Sequence, residues 1–250
     1  MKQINLSKLP EITRGRFDRI RVFSDFLELA AIRISIKFDP VHYALRNEQA
    51  KKINEAYTEA EHTEMCGYFG ELFRQIQRNI NAGICEDILS RVFHESGFAH
   101  NGQDQSPPDL ARLVGRLSMS SDFKIPEKGF ITLDEPSCGS GSLVLAFAEA
   151  MTAKNFNYCD QLVVRATDID SKCVHMAYIQ LSLYGIPAVI IRGETLSLKE
   201  YSRWYTPMYI LGNWVWKCPF NLTGGRSVDD EQLKRMTDPM YNTIRQIQNL

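Results

Sequence analysis

The sequence predicts an α/β fold with a helical N-terminal region over residues 1–100, an α/β core over 101–220 and a polar C-terminal tail over 221–250. Three observations predict it. Apolar residues recur at spacings of three and four between residues 40 and 100, the helical period. After Gly129 they gather instead into short runs separated by helical stretches. From Asn221 onward they thin into polar sequence. Strands that alternate with helices imply a parallel sheet joined by crossovers.

Taken in order, segment 1–37 is mildly basic: Lys2, Lys8, Arg14, Arg16, Arg19, Arg21, Arg33 and Lys37 stand against four acids. Two readings fit such a run, a phosphate-facing arm and a solvated helix face. Ala44, Ile53, Ala56 and Tyr57 mark one helical stripe, and Phe69, Leu72, Phe73, Ile76 and Ile80 mark the next. Ile84, Ile88, Leu89, Val92 and Phe93 mark a third. Residues 94–106 read as a polar connection, with Ser106 as N-cap of a further helix, Pro107 at its first position and Asp109 favouring its positive end. That helix continues through Leu110, Leu113, Val114 and Leu117. Four apolar runs at 130–133, 162–166, 188–191 and 208–211 are expected as strands, with helices at about 141–153 and 171–184 between the first three.

Composition removes several classes of protein. Lys and Arg total 29 against 30 Asp and Glu, so autonomous, tight, non-specific binding of nucleic acid is disfavoured, although a local basic patch is not. No run of 18 apolar residues exists to span a membrane, and no apolar segment follows Met1-Lys2 to act as a secretory signal. The six cysteines include no C-x-x-C pair, which argues against a disulfide framework or a zinc site and for a reduced, cytoplasmic setting. His94, His100 and His175 lack partners at ligand spacing and read as surface residues, so no metal is expected.

The informative stretch is Asp134-Glu135-Pro136-Ser137-Cys138-Gly139-Ser140-Gly141-Ser142, where a strand enters a turn with glycines at alternate positions and a helix opens at once. Gly139 and Gly141 remove side chains where a ligand must approach the backbone. The dinucleotide fingerprint G-x-G-x-x-G is absent, as is the Gly-Lys-Ser/Thr of a phosphate loop. Two further strands end in acids, at Asp168 and Glu194. An acid at the tip of the second strand is where α/β nucleotide folds hold ribose hydroxyls. Three acid-tipped strands at one sheet edge point to a ligand rich in hydroxyl and amine donors. Cys138 has no base nearby to make it a nucleophile, and the hydrolase elbow G-x-S-x-G is missing.

These residues resemble the S-adenosylmethionine-dependent adenine-N6 DNA methyltransferases, in particular modification subunits of type I restriction systems. Glu135-Pro136-Ser137-Cys138-Gly139-Ser140-Gly141 matches that family's D/E-P-x-C/A-G-x-G loop, and Asp168-Ile169-Asp170 its acid at the second strand. Residues 176–186 look like its A-x-x-N-L-x-L-x-G-I helix, and Gly193-Glu194-Thr195-Leu196 like its G-D-S/T-L. Gly102-Gln103-Asp104-Gln105-Ser106-Pro107 resembles G-Q-F/Y-F/Y-T/S-P, with two residues departing, and Glu86-Asp87-Ile88-Leu89 the end of the family's helical region. The resemblance covers roughly residues 85–213. It implies a Rossmann-like S-adenosylmethionine-dependent methyltransferase fold with a helical N-terminal domain. It also implies cofactor contacts at Ser106, Pro107, Glu135, Cys138, Gly139, Gly141, Asp168, Ile169, Glu194 and Thr195. By the same resemblance Glu135 lies near the methionine amine, Asp168 takes the ribose hydroxyls and Glu194 the adenine amine.

The family's catalytic N/D-P-P-Y/F is not intact. Met208 to Leu211 is expected as the fourth strand, which places Asn213 at the catalytic amide position and Trp216 at the aromatic one, with Trp214-Val215 where the prolines belong. Trp214 and Trp216 read equally as base-stacking groups or as cover for a sheet edge. Lys217-Cys218-Pro219-Phe220 keeps a Pro-Phe without the amide, and Asp238-Pro239-Met240-Tyr241 lacks a strand to present it. The stretch after Asn213 is too short for a target-recognition domain. Three functions stay open: methyl transfer to a base amine of DNA, with Asn213 and Trp216 at the target; an inactive methyltransferase fold that binds DNA or a partner such as a specificity or restriction subunit; and methylation of RNA or protein.

Overall fold

The computed structural model describes residues 5–98, 107–120, 122–218, 229 and 231–238. A 3-10 turn, Leu6–Glu11, leads into α1 (Arg19–Ser35), α2 (Tyr43–Asn54), α3 (Glu59–Asn81) and α4 (Ile88–Glu95). Then follow α5 (Pro108–Ser118), β1 (Ile131–Glu135), α6 (Ser142–Ala153), α7 (Tyr158–Gln161), β2 (Leu162–Asp168), α8 (Ser171–Leu183) and β3 (Ala188–Glu194). β4 (Lys199–Tyr205), α9 (Pro207–Leu211) and α10 (Trp214–Lys217) complete the named elements, and residues 231–238 are helical. The fold is therefore mixed α/β, with helices preceding a four-stranded sheet.

Local chemistry sets the helix starts. Asp18, Asp87 and Asp170 each accept a backbone N–H of the first turn of α1, α4 and α8, and Thr58 with Glu61 forms a capping box at α3. The sheet runs β1-β2-β3-β4, with β1, β2 and β3 parallel and β4 antiparallel to β3. Among the described residues β1 has no strand on its other side.

The expected fourth parallel strand is not there. Residues 208–211 lie in α9, because Thr206 caps the helix by accepting the Tyr209 N–H at 3.4 Å and Pro207 sits in its first turn. The fourth strand is the charged segment Lys199–Tyr205, which folds back from β3 as a hairpin. The pairing shifts between Arg192 and Gly193, where an added Cβ on Gly193 would stand 2.7 Å from the Lys199 carbonyl oxygen.

One apolar core joins the N-terminal helices to the sheet. Val22, Phe23, Phe26, Leu27 and Ile32 of α1 are buried with Val174, Met176, Ala177 and Ile179 of α8 and with Leu162, Val164, Ala188 and Ile190 of the sheet. α8 is thus covered on both sides, which corrects the placing of His175 at the surface. Its ring is buried edge-on to Trp204 at 5.0 Å, and burial pushes its pKa down to about 3, so it stays neutral. Within the basic segment α1 is a core helix, Arg21 on it leans on Asp25, and in the turn before it Arg16 bonds Glu61 and the Ala56 carbonyl while Arg14 leans on Glu64. The polar tail also contributes to a core. Leu233 is fully buried in a second cluster with Val163, Val189, Tyr205 and Trp214. No helix among the described residues is long and apolar enough to cross a membrane.

His42 ties that C-terminal helix to the rest. Its Nδ1 lies 2.9 Å from Asp39 Oδ2 and its Nε2 3.1 Å from Asp229 Oδ2. Burial opposes a charge on the ring, but the bonds to Asp229 and Asp39 outweigh burial and the nearby Arg46 and raise its pKa to about 8. A histidine pKa raised above its unfolded value adds stability below pH 6.5 that is lost as the pH climbs through 8. The contribution is roughly 2 kcal/mol. Urea unfolding is expected to show stability falling between pH 6.5 and 8.5, and His42→Gln to remove most of that slope. An equally steep slope in the variant would dissociate it from His42.

Candidate functional site

The carboxyl edge of the parallel strands is organised by the turn after β1. Gly139 and Gly141 both adopt left-handed backbone, with φ of 53° and 94°. The Cys138 N–H donates to the Thr167 carbonyl at 2.9 Å and the Gly139 N–H to Asp168 Oδ2 at 2.9 Å, which moors the turn to the end of β2. Asp168 Oδ1 accepts the Asp170 N–H at 2.9 Å. On the other flank Thr195 Oγ1 donates to the Pro136 carbonyl at 2.5 Å and ties the end of β3 to the same turn. Glu135, Cys138, Gly139, Asp168 and Thr195 are thereby brought together.

The two glycines differ in what they face. A Cβ on Gly141 would touch Ala177 and Leu181 of α8 at 3.6 Å, so this glycine packs inward. Among the described residues a Cβ on Gly139 would meet nothing within 4 Å. Gly139 therefore leaves open backbone beside the Asp168 carboxylate. Ile169 and Leu196, which follow Asp168 and Thr195, carry their side chains into solvent. An apolar rim at a polar strand edge suits a planar, partly apolar ligand.

The three acids differ in their electrostatics. Burial raises the pKa of Asp168 against the pull of its bonds to the Asp170 and Gly139 N–H groups. Glu194 is held low by the Tyr201 hydroxyl and by Ser197, whose Oγ lies at 2.8 Å, so both of its oxygens are engaged in its own hairpin. Glu135 is half-buried and accepts the Ser137 N–H at 3.2 Å. Burial drives the Cys138 thiol well above its ordinary range, with Asp168, Cys173 and Glu135 adding to the effect; it is a packing residue, not a thiolate.

Two residues that sequence reasoning missed hold the turn from beneath. Asp87 Oδ1 accepts the Ser90 N–H and Gln180 Nε2, each at 2.9 Å, while Oδ2 accepts the Ser140 and Ser142 hydroxyls. Gln180, fully buried, also donates to the Ser140 carbonyl at 3.0 Å and accepts the Ile88 and Leu89 N–H groups at 2.8 and 3.0 Å. The start of α4 and the glycine turn thus share one hydrogen-bond node. A glutamine interrupting the apolar run at 176–181 was the available signal, since a buried amide must find partners. Beside the node a cleft of about 320 Å³ is lined by Asp87, His94, Pro107, Arg112 and Ser142 among others. Pro107 is thereby placed on the α6 side of the turn, and Ser106 lies outside the described residues.

Asn213 and Trp216 lie elsewhere. Because β4 runs back along β3, Tyr205 pairs with Val189 and the Thr206 N–H bonds the Ala188 carbonyl at 3.0 Å. α9 and Asn213 consequently follow the amino end of β3, the opposite edge from Asp168 and Glu194. Asn213 occupies the N-cap position of α10 with φ of 54° and makes no side-chain cap bond, and its buried Oδ1 has no hydrogen-bond partner among the described residues. Trp216 packs against the second core cluster, and Nε1 points to Thr237 Oγ1 at 3.4 Å. Trp214 is buried edge-on to Phe130. The expected strand-end position of Asn213 and Trp216 is corrected by the hairpin, which reverses the chain before it reaches them.

No family model matches the chain, and no curated protein does. Among solved structures it is similar to a type I restriction-modification methyltransferase subunit from Streptococcus thermophilus, with 14% identity and a TM-score of 0.33 over 73% of this chain. The chain spans 55% of that subunit's length.

Proposed function

We propose that the carboxyl edge of β1, β2 and β3 binds S-adenosylmethionine, and that the chain is a methyltransferase-like binding module in which Asn213 takes no part in methyl transfer. The observation that carries this reading is the open backbone at Gly139 beside Asp168, in a turn moored on both sides. The residues suit the ligand. Each Asp168 oxygen keeps a lone-pair direction beyond the N–H it accepts, enough for a ribose hydroxyl. Glu135 supplies an acceptor for the methionine amine, and Ile169 and Leu196 supply apolar cover for adenine. Bound there, the cofactor offers a sulfonium-activated methyl group. The binding-module reading is preferred over catalysis because Asn213 and Trp216 follow the opposite sheet edge. DNA, or a specificity or restriction subunit, is the partner class the motif resemblance supports.

Calorimetry with S-adenosylmethionine tests the site directly, and saturable heat is expected. Absence of heat at millimolar ligand removes the reading. Asn213→Ala is expected to leave that affinity within about twofold, since distant, unconnected sites act independently. No tritium is expected to pass from the labelled cofactor to unmethylated duplex DNA. Transfer that disappears in Asn213→Ala would restore the catalytic role.

A further inference from the structure

Among the described residues α5 is anchored along one side and bare along another. Ala111 and Gly115 are buried toward α6, and a Cβ on Gly115 would stand 2.7 Å from the Ala146 carbonyl oxygen. The two helices are therefore in backbone contact, and α5 cannot roll without losing it. Away from that contact, Leu110, Leu113, Val114 and Leu117 are 49, 52, 42 and 73% exposed. Their spacing of three, one and three sets four aliphatic side chains on one stripe facing water. A contiguous apolar stripe that the host helix does not need for its own packing marks a contact surface.

The flanking charges select the occupant. Asp109 stands in the first turn and Arg116 in the last, both exposed. Asp109 has a 4.0 Å contact with Arg112, which itself leans 3.4 Å toward Glu149. If two copies of α5 lie antiparallel about a twofold axis between Leu113 and Val114, Leu110 meets the other copy's Leu117. Leu113 then meets the other copy's Val114. The same arrangement brings Asp109 of each copy toward Arg116 of the other at both ends of the seam. A parallel pairing would set this flank of one copy on the side opposite to the other copy's, so Asp109 and Arg116 would meet no charge across the seam. The stripe and its charges are thus self-complementary in one orientation, as a twofold interface requires. We infer that α5 is the seam of a symmetric dimer of this chain, with Leu110, Leu113, Val114 and Leu117 at its centre and Asp109–Arg116 pairs at its ends.

Sedimentation velocity across the micromolar range tests this with the full chain. A concentration-dependent dimer is expected, and Leu113→Glu combined with Leu117→Glu is expected to give monomer throughout, with an unchanged circular dichroism spectrum. Asp109→Lys alone, or Arg116→Glu alone, should weaken the dimer by at least about fivefold, and the two together should restore it. Wild-type protein that stays monomeric over the range overturns the inference. So does a dimer that survives the double glutamate variant, or a charge reversal that fails to restore association.

Discussion

Arg46→Ala is expected to lower the stability of the protein by about 3–5 kcal/mol, the usual consequence of removing one partner from a buried ion pair. The Arg46 side chain is 4% exposed and that of Asp39 is fully buried. Nη1 donates to Asp39 Oδ2 at 2.6 Å and to the Ser35 hydroxyl, and Nη2 donates to the Arg203 carbonyl at 2.6 Å. The guanidinium also lies over the Trp204 ring, 3.9 Å from its centroid. One side chain thereby joins the end of α1, the start of α2 and β4. Its loss leaves the Arg203 carbonyl without this donor and Asp39 dependent on His42 and two backbone N–H groups. Urea denaturation read by tryptophan fluorescence measures the effect. Asp39→Ala should destabilise by a comparable amount, and the double variant by less than the sum, because the two substitutions break the same contact. Strict additivity would show that Arg46 and Asp39 act separately.

That node also shows where sequence reasoning stops. The parallel strands, α6 and α8 were readable because buried strands and crossover helices leave near-continuous apolar runs. The site's mooring followed from residue types already singled out: glycines at 139 and 141, and an acid at 168. β4 was not readable, since Lys199, Glu200 and Arg203 interrupt any alternation and an antiparallel return needs no crossover helix. The run at 208–211 suited strand or helix equally, and the deciding signal, Thr206 followed by Pro207, was a helix start. α1 was read through its arginines, although Phe23, Phe26 and Leu27 between them carry the packing. His175 was misplaced for a related reason: α8 has α1 on its outer side, a tertiary fact that no periodicity within α8 encodes. Asp87 and Gln180 escaped because the bonds that join α4, the turn and α8 span 40 to 93 residues.

Asp168→Ala is expected to weaken S-adenosylmethionine binding by about 1.5–3 kcal/mol, the worth of hydrogen bonds to a charged acceptor. In dissociation constant this is roughly 10- to 150-fold. Two losses combine in that variant: acceptors for the ligand's hydroxyls, and the mooring of the Gly139 N–H on the end of β2. Asp168→Asn separates them. Its amide oxygen retains one acceptor for the Gly139 N–H, while its NH₂ group offers donors where the ligand also offers donors. If ribose recognition dominates, the asparagine variant should bind nearly as poorly as the alanine variant while unfolding at a wild-type urea midpoint. If mooring dominates, asparagine should recover most of the affinity. Unchanged affinity in both variants would remove Asp168 from the site. The turn would then be a strand-to-helix connection, held by Thr195 and the Asp87–Gln180 node and shaped by packing alone.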